Sequence, residues 1–338
     1  MNHIIIGCGA AGRAALLQIR KREPNAQITV ISDELDPFYL RPYLGYFLIN
    51  VKLPEAQKLA DENLREITGV DFRLGVKVTR LLARDNMVEL SNGDKLKYNF
   101  LLVATGTRFI LHEFAPEGAV YLTLKNKTDA LRLKREAERA ESVLVYGGGY
   151  QALELTRIFH LKGKKVLWMA PPGFFWPRKL PGVTAAEVKA KLQELGLNVK
   201  TDRRIVQALD LDGSRYCITD DQGETFECDL IVLAPHAVPR LDFLQDSRKA
   251  LTSGIHVDRG ILVNEELRTN IPNIFAAGDC AQVYDLNSGQ SAINFGWKSA
   301  ARQGAVAGEN MAGANSVIIP SQDEFVLDLM GKKLLERW

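Results

Sequence analysis

Short apolar runs that end in glycine set the rhythm of this chain. His3-Ile4-Ile5-Ile6 leads into Gly7-Cys8-Gly9-Ala10-Ala11-Gly12, and the residues that follow keep helical spacing through Arg20. A second strand is predicted over Gln27 to Ser32. The same order returns further on: a strand at Ser142 to Tyr146, then Gly147-Gly148-Gly149-Tyr150-Gln151-Ala152, then a helix from Leu153 to Lys162 stopped by Gly163, then a strand at Lys165 to Met169. Thr184-Ala185-Ala186-Glu187 is a capping box, opening a helix that closes at Gly196. Both halves also end alike. Met87 to Leu90, a turn at Asn92-Gly93 and the apolar run Phe100 to Gly106 match Arg215 to Thr219, a turn at Asp220 to Gly223 and Leu230 to Ala234. The pattern predicts an α/β fold made of two duplicated units.

The glycine segments carry the chemistry. A G-x-G-x-x-G turn between a strand and a helix needs its first glycine for the tight turn, its second for close approach of a pyrophosphate, and its third for packing helix on strand. Gly7, Gly9 and Gly12 fill these places, with Asp33 and Glu34 after the next strand as acceptors for ribose hydroxyls. The second copy, Gly147, Gly149 and Ala152, ends in alanine.

With 338 residues, the chain is long enough for two domains of about 150 residues each. Lys and Arg number 43 against 41 Asp and Glu, a net of +2, so a clustered excess of positive charge for nucleic acid is absent. The four cysteines, Cys8, Cys217, Cys228 and Cys280, show neither a C-x-x-C pair nor zinc-like spacing, so no metal site is expected. No apolar run approaches the roughly 18 residues of a membrane span, and the N-terminus lacks the features of a signal peptide. A cytoplasmic location is the expectation.

Further stretches give the pattern a family likeness: Tyr39-Leu40-Arg41-Pro42-Tyr43-Leu44, Ala104-Thr105-Gly106, Thr269 to Cys280 with Gly278-Asp279, and Trp297-Lys298-Ser299-Ala300-Ala301-Arg302-Gln303-Gly304. With the two glycine loops they resemble the FAD-dependent pyridine nucleotide-disulfide oxidoreductase superfamily, and within it the rubredoxin and ferredoxin reductases and the flavin part of nitrite reductase large subunits. The resemblance implies two Rossmann-like domains, each with a β-meander. A discontinuous FAD domain would take residues 1–110 and 240–320, an inserted NAD(P) domain 111–239, and a short tail 321–338 would be the remnant of a C-terminal interface domain. It implies FAD on Gly7, Gly9, Ala11 and Gly12, with Asp33 or Glu34 at the adenosine ribose. Arg41, Pro42, Val78, Ala104, Thr105, Gly106 and Gly278 would join that site, and Asp279 would meet the ribityl chain or pyrophosphate. The helix starting near Trp297 would aim its N-terminus at the flavin pyrimidine, where reduced flavin is negative. NADH or NADPH would lie on Gly147, Gly149, Tyr150 and Ala152, with Glu154 near the nicotinamide. The implied activity is electron transfer between NAD(P)H and rubredoxin, ferredoxin or an iron–sulfur subunit. A flavin-binding subunit of a larger complex, with pyridine nucleotide turnover impaired, is the alternative.

Several positions depart from the family. No cysteine lies between Asp33 and Gly106, which excludes a dithiol relay. Cys8 and Cys280 read as packing residues. Ala170 stands where an acid or a base usually selects the coenzyme, leaving NADH or NADPH open; Arg178 and Lys179 are either partners for a 2′-phosphate or a solvated pair. Phe174, Phe175 and Trp176 stack adenine, meet a partner, or pack internally. His236 reads as a structural variation, and Tyr46 replaces a flavin-facing lysine. Phe325 to Gly331 is expected to be either an edge strand folded back or, with Trp338, a docking surface for another subunit.

Overall fold

The computed structural model describes residues 1–48, 67, 69–111, 117–176, 184–244, 253–286, 289–319, and two terminal strands at 327–329 and 332–335. The chain opens with β1 (Asn2–Ile6), α1 (Ala10–Arg22) and β2 (Gln27–Ser32), makes a 3₁₀ turn at Arg41–Tyr43, and continues into the short α2 (Leu44–Leu48). Strands β3 (Val70–Leu74), β4 (Val78–Leu82), β5 (Met87–Leu90), β6 (Lys95–Lys97) and β7 (Phe100–Val103) follow, and β8 (Thr107–Phe109) leaves the unit. The second stretch holds β9 (Tyr121–Leu122), α3 (Lys127–Arg139), β10 (Ser142–Gly147), α4 (Gly149–Leu161), β11 (Lys165–Ala170), α5 (Ala185–Glu194) and β12 (Asn198–Thr201). It closes with β13 (Ile205–Asp210), β14 (Tyr216–Asp220), β15 (Thr225–Cys228) and β16 (Leu230–Ala234). After β17 (Ala237–Pro239) come β18 (Ile261–Val263), β19 (Ile274–Ala276), β20 (Ala281–Asp285), β21 (Gln290–Ala292), α6 (Trp297–Met311), β22 (Leu327–Leu329) and β23 (Lys332–Leu335).

Two parallel sheets dominate. Their strand orders, β19-β7-β1-β2-β3 and β9-β16-β10-β11-β12, follow one plan, in which the glycine-turn strand lies between the closing strand and the next strand of its unit. Each unit adds an antiparallel meander, β4-β5-β6 and β13-β14-β15. The first sheet therefore draws β19 from far down the chain to flank β7. Central strands that are buried on both faces explain the unbroken apolar runs Ile4-Ile5-Ile6 and Leu230 to Ala234.

Both helices after a glycine turn begin inside the motif, at Ala10 and Gly149, rather than at Leu153 as the apolar spacing of the second copy predicted. The turn itself supplies the N-cap, so the helix needs no run of apolar residues to start. Gly163 and Gly196 end their helices with φ of +73° and +79°. The terminal strands β22 and β23 pair with each other and with no other described strand, in place of a single folded-back edge strand. A local hairpin closes a much shorter loop than an addition to the main sheet. Trp338 lies outside the described residues.

Candidate functional site

Glycines at the two turns are fixed by contact. Gly7 has φ +104°, and a Cβ there would stand 2.2 Å from the Ala104 carbonyl oxygen; Gly147 has φ +134°, and a Cβ there would stand 2.0 Å from that of Ala234. The closing strand of each unit thus presses on its own turn in the same way. A Cβ on Gly12 would meet the Gly7 carbonyl oxygen at 2.0 Å, whereas one on Gly9 meets nothing within 4 Å. Gly9 faces open space at the start of α1, where a phosphate can approach the backbone.

The helix starts sort into two kinds. Asn126 caps α3 by accepting from Asp129 N–H at 2.8 Å, and Thr184 with Glu187 forms the reciprocal capping box of α5. By contrast, α1, α4 and α6 start at Gly9, Gly148 and Gly296 with no side-chain cap and no acid in the first turn. Their positive helix ends suit an anionic ligand, and at α1 the leading N–H groups face open space beside Gly9. This arrangement fits a dinucleotide diphosphate at the first turn.

Around the first turn, α6 packs directly on α1. A Cβ on Gly304 would lie 2.1 Å from the Ala11 carbonyl oxygen, and one on Gly308 2.5 Å from that of Ala15. Gln303, one turn into the same face, accepts the Gly278 N–H at 2.7 Å and so holds the Gly-Asp turn in place. Asp279 accepts from Gly296 N–H at 3.1 Å, which ties that turn to the start of α6. Burial pushes its carboxyl above the ordinary range, with the Gly296 N–H, Lys125 and Arg41 pulling the other way. Trp297 is half-buried against Phe38, with ring centres 5.6 Å apart.

Charged side chains surround this cradle. Arg41 donates to Glu34 at 2.5 Å and to the Tyr39 hydroxyl at 2.9 Å, and Tyr39 also donates to Glu34. Arg240 donates to Asp33 at 2.8 Å, while its backbone bonds Thr105 Oγ1 and the Gly106 carbonyl. Both acids expected at the ribose are therefore already paired with arginines. Lys125 donates to Thr107 at 2.5 Å and sits 5.0 Å over the Phe109 ring. Burial lowers its pKa to about 8, with Arg41 and Arg240 adding to the fall and Asp279 and Glu34 opposing it. Ala104 is buried, Pro42 is exposed in the 3₁₀ turn, and Val78 is half-buried at the start of β4 opposite Leu90.

The second turn is more enclosed. Gly149 N–H donates to the Phe175 carbonyl at 3.0 Å, and a Cβ on Gly148 would overlap the Phe174 carbonyl oxygen. Phe175 packs on Trp168 at 4.8 Å and Trp176 meets Tyr150 edge-on at 5.2 Å, so these aromatics pack internally. Ala152 is fully buried in the unit's core, where it does the packing that Gly12 does in the first unit. Ala170 is also fully buried and offers no charge. Glu154 is partly exposed and gripped by Arg157. His236 is exposed and edge-on to Phe174 at 6.4 Å. Arg178 and Lys179 lie outside the described residues.

Cys280 is fully buried, its thiol donating to the Val103 and Ala277 carbonyls at 3.4 Å, and burial raises its pKa. Cys8 is buried too. Sequence reasoning missed Lys125 and Arg240, for which no local motif exists, and gave Tyr39, although it opens the Arg41-Pro42 stretch, no role. Gln303 had a signal: with Trp297, Ala300 and Gly304 it repeats on one helix face.

The sequence profile of the pyridine nucleotide-disulphide oxidoreductases matches residues 1–304. A 3-phenylpropionate/cinnamic acid dioxygenase ferredoxin--NAD(+) reductase component of Photorhabdus laumondii is 29% identical over 313 residues, covering 92% of this chain and 77% of that protein. The rubredoxin-NAD(+) reductase of Pseudomonas putida is 25% identical, covering 99% and 86%. Among solved structures, an NAD-dependent persulfide reductase from A. fulgidus superposes with a TM-score of 0.86 at 25% identity over 98% of this chain. The chain spans 62% of that structure's length. The complex of putidaredoxin reductase with putidaredoxin shares the fold, with a TM-score of 0.82 at 22% identity, covering 97% of this chain and 79% of that one. FAD and NADH or NADPH are the cofactors that go with this likeness. Two duplicated Rossmann units, each with a glycine turn pinned by its own closing strand, and a profile match across nearly the whole chain place this protein in the pyridine nucleotide-disulphide oxidoreductase family.

Proposed function

We propose that the first unit holds FAD, that the second receives NADH or NADPH, and that electrons pass through the flavin to a one-electron protein acceptor: a rubredoxin, a ferredoxin or an iron–sulfur subunit. The observation that carries this reading is the contrast in helix starts. The helices at the two glycine turns, and α6 beside the Gly-Asp turn, start with neither a capping side chain on the N-cap residue nor an acid in the first turn, while α3 and α5 are capped by side chains. Bound FAD supplies the exchange between paired and single electrons. The chain's own groups bind and orient it: the first N–H groups of α1 meet the diphosphate, and Asp279 and the start of α6 fix the middle and the flavin end. Lys125 and Arg41 balance phosphate charge. The relatives named for ferredoxin and rubredoxin support the acceptor class, and the absence of any cysteine from 34 to 105 supports direct exit of electrons from the flavin.

Anaerobic mixing of the FAD-loaded protein with NADH and with NADPH in a stopped-flow instrument tests the reading. Bleaching of the flavin by at least one of them, followed by reoxidation with rubredoxin or ferredoxin, is expected. If neither coenzyme bleaches it, the reading fails. The bond from Gly149 N–H to the Phe175 carbonyl favours a second reading, a flavin subunit whose second unit no longer turns over pyridine nucleotide. That outcome predicts a flavin reduced by a protein donor and by neither coenzyme.

A further inference from the structure

A cation is fixed in the seam between the two units. Arg157 stands one turn after Glu154 on α4 and grips its carboxylate with both arms of the guanidinium, Nε to Oε2 at 2.9 Å and Nη2 to Oε1 at 2.7 Å. Its side chain is only 14% exposed. A solvated i,i+3 pair would contribute little and leave both groups free to move. This pair is not free to move. The Tyr46 ring of α2, from the first unit, lies 5.7 Å from the guanidinium carbon, and Tyr43 in turn packs on Tyr46.

The fit at the seam is close. A Cβ on Gly45 would stand 3.1 Å from Glu154 Oε1 and 2.5 Å from Ile158 Cδ1. Below the pair, Leu48 of α2 is buried in the core of the second unit, and Lys162 donates to its carbonyl at 2.9 Å. At about 1.5 Å per residue, Glu154 and Arg157 lie roughly 7.5 and 12 Å along α4 from its N-terminus. They are on the side where the units meet, and a group carried by one unit reacts with a group carried by the other only there.

We propose that Arg157 is a positioning residue for the reaction between the units: with Tyr46 as its platform, it holds the Glu154 carboxylate in one rotamer, as acceptor for the nicotinamide carboxamide N–H. The proposal rests on the pyridine nucleotide reading of the second unit. Arg157 itself exchanges neither electron nor proton. The fork geometry matters more than the charge, since a lysine gives a single contact and no flat face to lay on the Tyr46 ring.

The test compares FAD-loaded wild type, Arg157→Met, Arg157→Lys, Glu154→Gln and the Arg157→Met/Glu154→Gln double variant. For each, the saturating rate of flavin bleaching, the coenzyme concentration at half that rate, the FAD content and the melting temperature are measured. Arg157→Met is expected to lower the saturating rate by roughly tenfold to a hundredfold, the range that a misplacement of about 1 Å produces. FAD content and melting temperature should stay at wild-type values. Arg157→Lys should recover part of the rate, and the double variant should lose no more than the worse single one. Wild-type rates in Arg157→Met, or losses that multiply in the double variant, would overturn the proposal. So would a fall in FAD content that accounts for the lost rate in both Arg157 variants. If wild type itself is bleached by neither coenzyme, the pyridine nucleotide reading falls first and takes this proposal with it.

Discussion

At the scale of single residues, the candidate FAD site depends on side chains that neutralise one another before any ligand arrives. Lys125 is the extreme case, a buried ammonium whose pKa lies near 8 because water is withheld and two arginines stand close. Its folded pKa is below the unfolded value of 10.5, so between these two values the unfolded chain holds more protons and stability rises with pH. An anionic ligand favours the charged form, so the sign for binding is opposite. FAD affinity should weaken as pH rises through about 8, and titration of apoprotein by flavin fluorescence across pH 7 to 9.5 measures it. In Lys125→Met that dependence should vanish, and its persistence would assign the effect to another group. Nothing near Lys125 in the sequence announced this. Its partners Thr107, Arg41, Asp279 and Arg240 come from four separate stretches, brought together only by the fold. Arg41 and Asp279 were legible through short motifs; the lysine between them was not.

Among the elements, the strand-turn-helix junctions were the most legible part, because their glycines answer to strictly local geometry. Gly9 and Gly12 are equally glycine in sequence, yet only the structure separates their reasons. Gly9→Ala places a methyl group in open space, and apoprotein stability should change by less than about 1 kcal/mol while FAD affinity drops. Gly12→Ala drives a methyl group into the Gly7 carbonyl and should cost more than about 2 kcal/mol before any ligand is considered. Urea unfolding of both apoproteins, beside FAD titration, separates the two; equal stability losses would refute the assignment of roles. The start of α4 was misjudged because Tyr150 and Gln151 break the apolar spacing that the helix shows later. The fate of Phe174 to Trp176 was undecided for another reason: aromatic residues pack inside a domain or outside it with equal ease, and only the fold shows which.

For the molecule as a whole, the duplication was legible and the seam was not. Residues 1–110 together with 240–320 are expected to form one domain, and from within that stretch α2 buries Leu48 in the core of the other unit. A short helix carries too little periodicity to show which surface it serves. The distribution of thiols also acts at this scale. Cys8 and Cys280 are free thiols buried in the first unit's core, Cys228 is pushed up to about 12 by burial, and Cys217 lies on the second meander, so the thiols nearest the first turn are shielded from solvent. Alkylation of the native protein should leave the rates of flavin reduction and of acceptor reduction within about twofold. A loss of tenfold or more on exposure to iodoacetamide would mean that a thiol carries electrons after all.

The short ribbon of β8 and β17 bears on how such a molecule could arise. Thr107–Phe109 and Ala237–Pro239 lie side by side, so the second unit departs from the first and returns to it at one point. Seen from the first unit, everything between is a loop whose ends already touch, and the entropy of closing it is set by the ribbon rather than by the length of the detour. A whole domain could be spliced into an older one at such a place without disturbing the sheet that received it, and β7 and β19 still pair across the splice as neighbours.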